Sequence, residues 1–336
     1  MSSVPPLNVH EVHRPPAPLL RYVDQVTGDG PSDVEFRFSR SVLTDFDVDV
    51  VHVLETNLDA LLGTRHAGPV QRILAVRAFT SNLRKYGIAL VRTLPDARAD
   101  DRAHLGAWFA RRMLDKATTT FVVFHESTPT PDPLRTVVIP HAQYRERFRG
   151  YPRGEKVEGR MLCVARGELP AAARGLIGIP RAATSDITVR FAGEADEQLE
   201  QAIRSTSARY PSRVSARLER LSDGARVQEI DAAELVAVPE VRTINDLQTV
   251  FLALTLGRPV IVPRSLHMAS LAEEVGPGWL HLTDNAITAA SVDEAFSLIR
   301  KHQLESLPDL GSRGLSVVKE KYATVFHRAA VKRERY

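Results

Sequence analysis

The stretch LALTLGRPVIVP, residues 252–263, ends an apolar helix and starts a β-branched strand with only a short turn between them. Gly257 is a typical helix-ending residue, and Pro259 cannot continue a helix because it has no backbone N–H. At the other end, Thr243 followed by Asp246 predicts a capping pair that starts this helix near Asn245. A helix leading directly into a buried strand is typical of a parallel sheet.

Apolar strands alternate with longer amphipathic stretches through most of the chain, which predicts an α/β protein with helices covering parallel sheets. Strands are predicted at LNVHEV, VEFRF, VDVVHVLE, IALVRTL, TTFVVFH, RTVVIP, RMLCVA, SDITVRFAG, RVSARLER, ELVAVP, PVIVP and GWLHLT. Helices are predicted at 69–87, 101–117, 195–210, 245–257, 265–275 and 291–303. The first helix has an apolar face formed by Val70, Ile73, Leu74, Val76, Phe79 and Leu83.

The polar stretch RERFRGYPRGEKVEG, residues 145–159, separates two similar series of strands and helices. The 336 residues suffice for two domains of roughly 150 residues each. We therefore predict an N-terminal Rossmann-like domain at 1–150 and a C-terminal one at 157–305, with the helical region 306–336 crossing back over the first. A cleft between them would face the carboxyl ends of the strands, where open α/β sheets bind ligands.

Composition excludes several classes of protein. With 43% hydrophobic and 25% charged residues, no apolar run near the roughly 18 residues that span a bilayer, and no signal-peptide core, the chain is expected to be cytoplasmic. Its one cysteine, Cys163, lies in the apolar run MLCVA and predicts a buried thiol. The absence of GxGxxG, GxxxxGK[ST] and HExxH motifs argues against dehydrogenases, P-loop enzymes and zinc proteases.

Charge is the remaining compositional signal. The net charge is only +3, but arginines cluster at 145–156 and near the C-terminus. Such clusters suit phosphates or an anionic membrane, unless they are simply solvated faces. Because they lack interleaved aromatic residues, nucleic acid is not expected as a partner.

Four stretches together resemble the GT-B glycosyltransferases, and they cover residues 48–300. They are DVVHVLETN, VVIPHAQYRERF, RMLCVARGEL and the run from VPEVRTINDLQTVF through LALTLGRPVIVP to LAEEVG. The resemblance implies transfer of a sugar from a UDP-, GDP- or dTDP-sugar to a hydroxyl of a glycan or lipid-linked acceptor, as in exopolysaccharide synthesis. It also implies that neither a metal ion nor another cofactor is needed.

For the donor diphosphate, the resemblance implicates Arg166, while Arg174 lies roughly where relatives carry a Lys-Gly pair. Guanidinium groups stay charged and hold phosphate oxygens in a bidentate manner, although either arginine would also be ordinary on a surface. The two glutamates usual in relatives are replaced by Ile244 and Leu252. Polar side chains around the helix start are therefore the alternative donor contacts: Arg242, Asn245, Asp246 and Gln248.

The acceptor side departs from the family too, because LVRTLPD stands where relatives often carry a histidine. Asp96 would serve as a base if the cleft raised its pKa, or it simply begins a loop. His141 either faces the reacting sugar or closes a strand. Since the usual acid and base residues are missing, a non-catalytic relative that binds a nucleotide, a glycan or a partner transferase is the alternative function.

A lipid-linked acceptor would place the protein at the inner face of the cell membrane, held peripherally. Basic residues that would favour this attachment are Arg14, Arg65, Arg72, Arg77, Arg84 and Lys85. Trp108 and Phe109, beside Arg111 and Arg112, offer an amphipathic contact. Alternatively, these two aromatic side chains pack into the core.

Overall fold

The computed structural model describes residues 7–12, 26–27, 33–39, 47–64, 67–95, 105–167, 175–179, 183, 186–302, 304 and 306–334. The chain forms two compact units: unit 1 comprises Met1–His141 with Leu315–Tyr336, and unit 2 comprises Ala142–Gly314. Within the described residues each unit contains a six-stranded sheet, and every strand pairing is parallel. The predicted α/β class is therefore confirmed.

The strands are β1 (Leu7–Val12), β2 (Val34–Ser39), β3 (Val50–Leu54), β4 (Ala89–Leu94), β5 (Thr120–Val123), β6 (Thr136–Val138), β7 (Arg160–Gly167), β8 (Thr188–Ala195), β9 (Val214–Arg217), β10 (Leu235–Ala237), β11 (Val260–Pro263) and β12 (Leu280–Thr283). The α-helices are α1 (Leu58–Leu62), α2 (Pro69–Lys85), α3 (Leu105–Ala117), α4 (Glu197–Arg209), α5 (Asp223–Asp231), α6 (Ile244–Thr255), α7 (Leu266–Val275), α8 (Ala289–His302) and α9 (Leu315–Glu334). Each predicted strand corresponds to one of these strands, whereas α1 and α5 were not predicted.

Unit 1 has the strand order β2-β1-β3-β4-β5-β6. One face of its sheet packs against α2 and α3, which contribute Val76, Phe79 and Leu83 among others to a buried cluster. Val70 and Leu74, predicted on the same apolar face, are 69% and 58% exposed. That part of the prediction is wrong, because with 3.6 residues per turn Val70 and Leu74 lie on the side of α2 opposite to Val76, Phe79 and Leu83.

The last helix of the chain, α9, packs on the other face of the unit 1 sheet. The rings of Tyr322 and Phe326 lie 5.6 and 5.4 Å from the ring of His52 on β3. Helix α9 thus belongs to unit 1, although residues 142–314 of unit 2 precede it in the chain. The last helix and the first strands of the chain therefore pack together in the same unit.

A buried ion cluster lies between β4 and α3. Arg92 is 0% exposed. Its guanidinium donates to Glu55 Oε2 at 2.6 Å, to Asp115 Oδ1 at 2.7 Å and to Thr118 Oγ1 at 3.2 Å. Arg111 approaches the other oxygen of Glu55 at 3.4 Å. Two carboxylates therefore neutralise a guanidinium that has no access to water.

Unit 2 has the strand order β9-β8-β7-β10-β11-β12, the doubly wound order of Rossmann folds. Helices α4 and α8 pack on one face against Met161, Phe191 and Ile261. Cys163 lies in the same cluster, fully buried as predicted, and burial raises the pKa of its thiol to about 12. The thiol is consequently a core side chain, not a reactive one.

The quoted stretch forms the turn that its sequence predicts. Helix α6 ends at Thr255, and Gly257 follows with φ of 68°, in the left-handed region that favours glycine. The N–H groups of Gly257 and Arg258 donate to the carbonyls of Leu254 and Ala253 at 3.0 and 2.9 Å, a Schellman arrangement that ends the helix. Strand β11 then begins at Val260.

Candidate functional site

The carboxyl ends of parallel strands meet at one edge of each sheet. In unit 2 the strand order reverses between β7 and β10, and open α/β sheets bind ligands at such a switch point. Arg166 is the penultimate residue of β7 and pairs in register with Glu194 near the end of β8. The backbone of Arg166 therefore lies at this edge. The side chain of Arg166 and the whole of Arg174 lie outside the described residues.

On the β10 side of the switch point, helix α6 starts with a capping box. The Oδ2 atom of Asp246 accepts from the N–H groups of Thr243 at 2.8 Å and Arg242 at 3.2 Å. In return, the Thr243 hydroxyl accepts from the Asp246 N–H at 3.3 Å. The predicted capping pair is therefore confirmed, and the Asp246 carboxylate is engaged in holding the helix start.

The other predicted donor contacts on this helix differ in accessibility. Arg242 is exposed, and its guanidinium pairs with the carboxylate of Glu240. Asn245 is exposed, whereas Gln248 is 3% exposed. Arg242 and Asn245 are thus available at the edge, and Gln248 is enclosed by protein.

The loops after β11 and β12 add polar groups that sequence reasoning did not single out. Arg264 donates to Asp284 Oδ1 at 2.9 Å, and these residues directly follow the two strands. Ser265 caps α7 by accepting from the Met268 N–H at 3.1 Å. Their positions in the sequence could have identified these residues as candidates. Polar residues that directly follow buried strands of a parallel sheet lie at its carboxyl edge.

Helices α5, α6 and α7 each follow a strand of the parallel sheet, so their N-termini lie at this same edge. Helix N-termini carry partial positive charge and free N–H groups, and arginines add full charges. This combination suits the binding of an anionic group such as a diphosphate. Within the described residues, no group of three or more His, Cys, Asp or Glu side chains is arranged to hold a metal ion.

At the carboxyl edge of unit 1, His141 follows β6 and is 0% exposed, with its ring 5.7 Å from that of Phe124. Asp96 lies outside the described residues. His125 follows β5 and Phe124 directly, but the sequence analysis did not identify it. Its Nδ1 accepts a hydrogen bond from the Ser127 N–H at 3.1 Å. Because a backbone N–H can only donate, neutral His125 carries its own proton on Nε2.

Solved structures of glycosyltransferases share this fold. HepE of Anabaena, solved with UDP, matches with a TM-score of 0.58 and 12% identity, over 98% of this chain and 97% of that chain. A UDP-forming trehalose-phosphate synthase of Burkholderia xenovorans matches with a TM-score of 0.59 and 11% identity, over 96% and 100%. The lipopolysaccharide galactosyltransferase WaaB matches with a TM-score of 0.54 and 10% identity, over 97% and 99%. The fold is therefore GT-B.

Two characterised relatives come from Xanthomonas campestris pv. campestris, and both are named GDP-mannose:glycolipid 4-beta-D-mannosyltransferase. They are 27% and 26% identical to this chain over 311 residues, which is 89% of the chain and 86% of each relative. No protein-family model matches the sequence. The fold and the two relatives confirm the predicted resemblance to GT-B glycosyltransferases and the predicted enzyme class.

Proposed function

We propose that this enzyme transfers mannose from GDP-mannose to a hydroxyl of a glycolipid. The observation that carries the proposal is the similarity to the two mannosyltransferases, because it extends over 89% of this chain and 86% of each relative. A match of that extent includes both units, and thus both the donor and the acceptor half of a GT-B enzyme.

On the donor side, we assign the diphosphate to Arg166, Arg174 and Arg242, with the N-terminus of α6. As the bond to the sugar breaks, negative charge develops on the leaving diphosphate, and positive groups fixed in advance stabilise it. Asn245 supplies a further polar contact, while Asp246 and Gln248 support the helix. This arrangement provides electrostatic stabilisation without a divalent ion.

On the acceptor side, Asp96 and His141 are the candidates for the group near the reacting carbon. A base must lie within hydrogen-bond reach of the acceptor hydroxyl. In sequence, Asp96 comes two residues after the end of β4, and His141 comes three residues after the end of β6. His141 is enclosed and contacts Phe124. We therefore assign Asp96 the catalytic role and His141 the support of the acceptor pocket.

The activity test uses the purified chain, a glycolipid acceptor extracted from bacterial membranes, and GDP-mannose, UDP-glucose or dTDP-glucose in parallel. We expect incorporation of mannose from GDP-mannose, unchanged in excess EDTA. Strict dependence on magnesium or manganese would contradict the metal-free mechanism. Nucleotide binding without turnover on any acceptor would instead favour the non-catalytic alternative.

For membrane attachment we propose the first turns of α2 and α3 as the docking surface. Four apolar side chains are exposed there: Val70 at 69%, Leu74 at 58%, Trp108 at 41% and Phe109 at 53%. The guanidinium of Arg112 lies 5.5 Å from the ring of Trp108. No helix among the described residues is long and apolar enough to cross a bilayer. An exposed apolar patch flanked by arginines suits an anionic membrane surface.

Sedimentation with vesicles containing anionic lipid tests this surface. The wild-type chain is expected to sediment at low salt and less at high salt, since salt screens the attraction. Replacing Trp108 and Phe109 together with alanine should abolish sedimentation. Tyr86→Ala is the matched control, because Tyr86 is also exposed (48%) but follows the opposite end of α2. Equal sedimentation of both variants would contradict the proposal.

A further inference from the structure

The side chain of Arg226, in the first turn of α5, is partly buried and has carboxylates nearby, but it forms no ion pair within the described residues. Its Nε atom is sealed from solvent and has no hydrogen-bond partner. Burial lowers the pKa of this guanidinium, and Asp223, Tyr144 and Glu194 are close enough to oppose that shift in part. None of the three forms an ion pair with it, nor does any other residue in the part of the chain that the structure describes.

Three other arginines of unit 2 that are at least partly buried form ion pairs, although the Nε of Arg258 is also without a partner. Arg190 meets Glu229 at 2.8 Å, Arg258 meets Asp231 at 3.0 Å and Arg313 meets Glu274 at 2.6 Å. Burying part of a guanidinium without a carboxylate to pair with it has a cost, which is why such groups are normally paired. A ligand that supplies the missing partner would explain why Arg226 has no ion pair within the protein.

The position of Arg226 identifies which ligand is within reach. Helix α5 follows β9, so its first turns lie at the carboxyl edge of the unit 2 sheet. Glu194 is the penultimate residue of β8 at that edge, and its register partner is Arg166 on β7, the residue assigned to the donor diphosphate. Arg226 therefore lies beside the predicted donor site.

The surrounding charges favour a base over a phosphate. Glu194 is exposed and Asp223 is 5% exposed, so a phosphate bound to Arg226 would be next to two carboxylates. Guanine offers two adjacent acceptors, O6 and N7, that an arginine can bind in a bidentate manner. It also presents N–H donors at N1 and N2, and a carboxylate accepts these.

We propose that Arg226 reads the guanine base of the donor through O6 and N7, while Glu194 accepts from its N–H groups. This inference rests on the proposed GDP-mannose donor and names the residues that select it. Uracil has a single N–H between two carbonyl oxygens and cannot satisfy both side chains in this way. Arg226 is thus a specificity residue that separates this enzyme from UDP-dependent glycosyltransferases of the same fold.

Isothermal titration of the full chain with GDP and UDP tests the inference. Wild type is expected to bind GDP more tightly than UDP. Arg226→Met should weaken GDP binding by about tenfold to a hundredfold, the value of one bidentate arginine–guanine contact, and leave UDP binding nearly unchanged. Arg204→Met is the control, because Arg204 is an exposed arginine on α4 paired with Glu200. It should alter neither affinity.

Inosine diphosphate, which lacks the 2-amino group, tests Glu194 separately. Wild type should bind it about tenfold more weakly than GDP, and Glu194→Ala should remove that difference. The melting temperature of ligand-free Arg226→Met should be equal to or above that of wild type, since the variant removes a partly buried guanidinium that forms no ion pair. A clear drop would mean that Arg226 is structural and would overturn the proposal.

The remaining outcomes separate this inference from the proposed function. If Arg226→Met weakens GDP and UDP equally, Arg226 binds the diphosphate and the guanine assignment is wrong, while mannosyl transfer stands. If wild type prefers UDP, both the guanine assignment and the GDP donor are wrong. If it binds no nucleotide at all, the transferase proposal fails as well.

Discussion

Arg92 in unit 1 is fully buried and Arg226 in unit 2 is partly buried, and the surroundings of the two guanidinium groups differ. Arg92 is 0% exposed and donates to Glu55 and Asp115 at 2.6 and 2.7 Å. Arg226 has a sealed Nε and no carboxylate within ion-pair distance among the described residues. Arg92 is neutralised by direct ion pairs, whereas the carboxylates of Asp223 and Glu194 lie near Arg226 without pairing with it.

This difference distinguishes charge that stabilises the fold from charge that is available to a ligand. Removing one member of a compensated buried cluster leaves the other charges uncompensated, so stability should fall strongly. Removing an uncompensated charge should cost no stability, and only binding should change. The variants below test that distinction, beginning with the largest effect.

Arg92→Met should lower the free energy of unfolding by about 3–5 kcal/mol, because Glu55 and Asp115 would remain largely buried without their main cation, with only Arg111 left beside Glu55. Urea denaturation followed by circular dichroism measures this change. Arg77→Met, at an exposed position on α2, should change stability by less than about 0.5 kcal/mol. If Arg92→Met and Arg226→Met proved equally stable, the distinction drawn above would be lost.

Asp231→Asn should have an intermediate effect, about 2 kcal/mol by the same measurement. Asp231 is 2% exposed and serves two arginines, Arg153 at 2.8 Å and Arg258 at 3.0 Å. The cost is smaller than at Arg92 because the Arg153 side chain is 55% exposed and can return to water. If Asp231→Asn lowered the free energy of unfolding by less than Arg77→Met does, the pairing of Asp231 with the two arginines would not stabilise the fold.

Thr243→Ala should cost about 1 kcal/mol, the usual value of a helix N-cap. The variant removes the hydroxyl that accepts from the Asp246 N–H and leaves the charges at the edge of unit 2 unchanged. Ser205→Ala, on the exposed surface of α4, is the control. A Thr243→Ala variant as stable as the control would argue that Asp246 alone holds the start of α6.

The substitution Glu274→Gln should have the smallest effect on stability, and this effect should depend on pH. Burial opposes ionisation of this carboxyl, but hydrogen bonds and charge from Arg313, together with Ser312, outweigh it and lower the pKa of Glu274. Its stabilising contribution is therefore present above the ordinary value of 4.5 and is lost as the pH falls below it. The stability difference between wild type and Glu274→Gln should shrink from pH 6 to pH 3. A constant difference would contradict the pKa shift.

The sequence by itself determined the local elements and the family. Alternating apolar runs predicted all the described strands, since a strand buried on both faces is recognisable by composition alone. The start of α6 at Thr243 and the turn at Gly257 also followed from sequence, because capping and left-handed turns depend on neighbouring residues. Helix α5 did not, because its nine residues include buried acidic side chains at Asp223, Glu229 and Asp231 that obscure an amphipathic pattern.

Only the tertiary structure decided which residues meet across long separations. Strand order places the ends of β7 and β10 side by side, although about 70 residues separate them in the chain. It also determines that Leu74 is exposed and that Arg92 pairs with two carboxylates, whereas Arg226 forms no ion pair within the described residues. In sequence the two arginines look alike, because the charge that compensates a buried group comes from distant segments that only folding brings together.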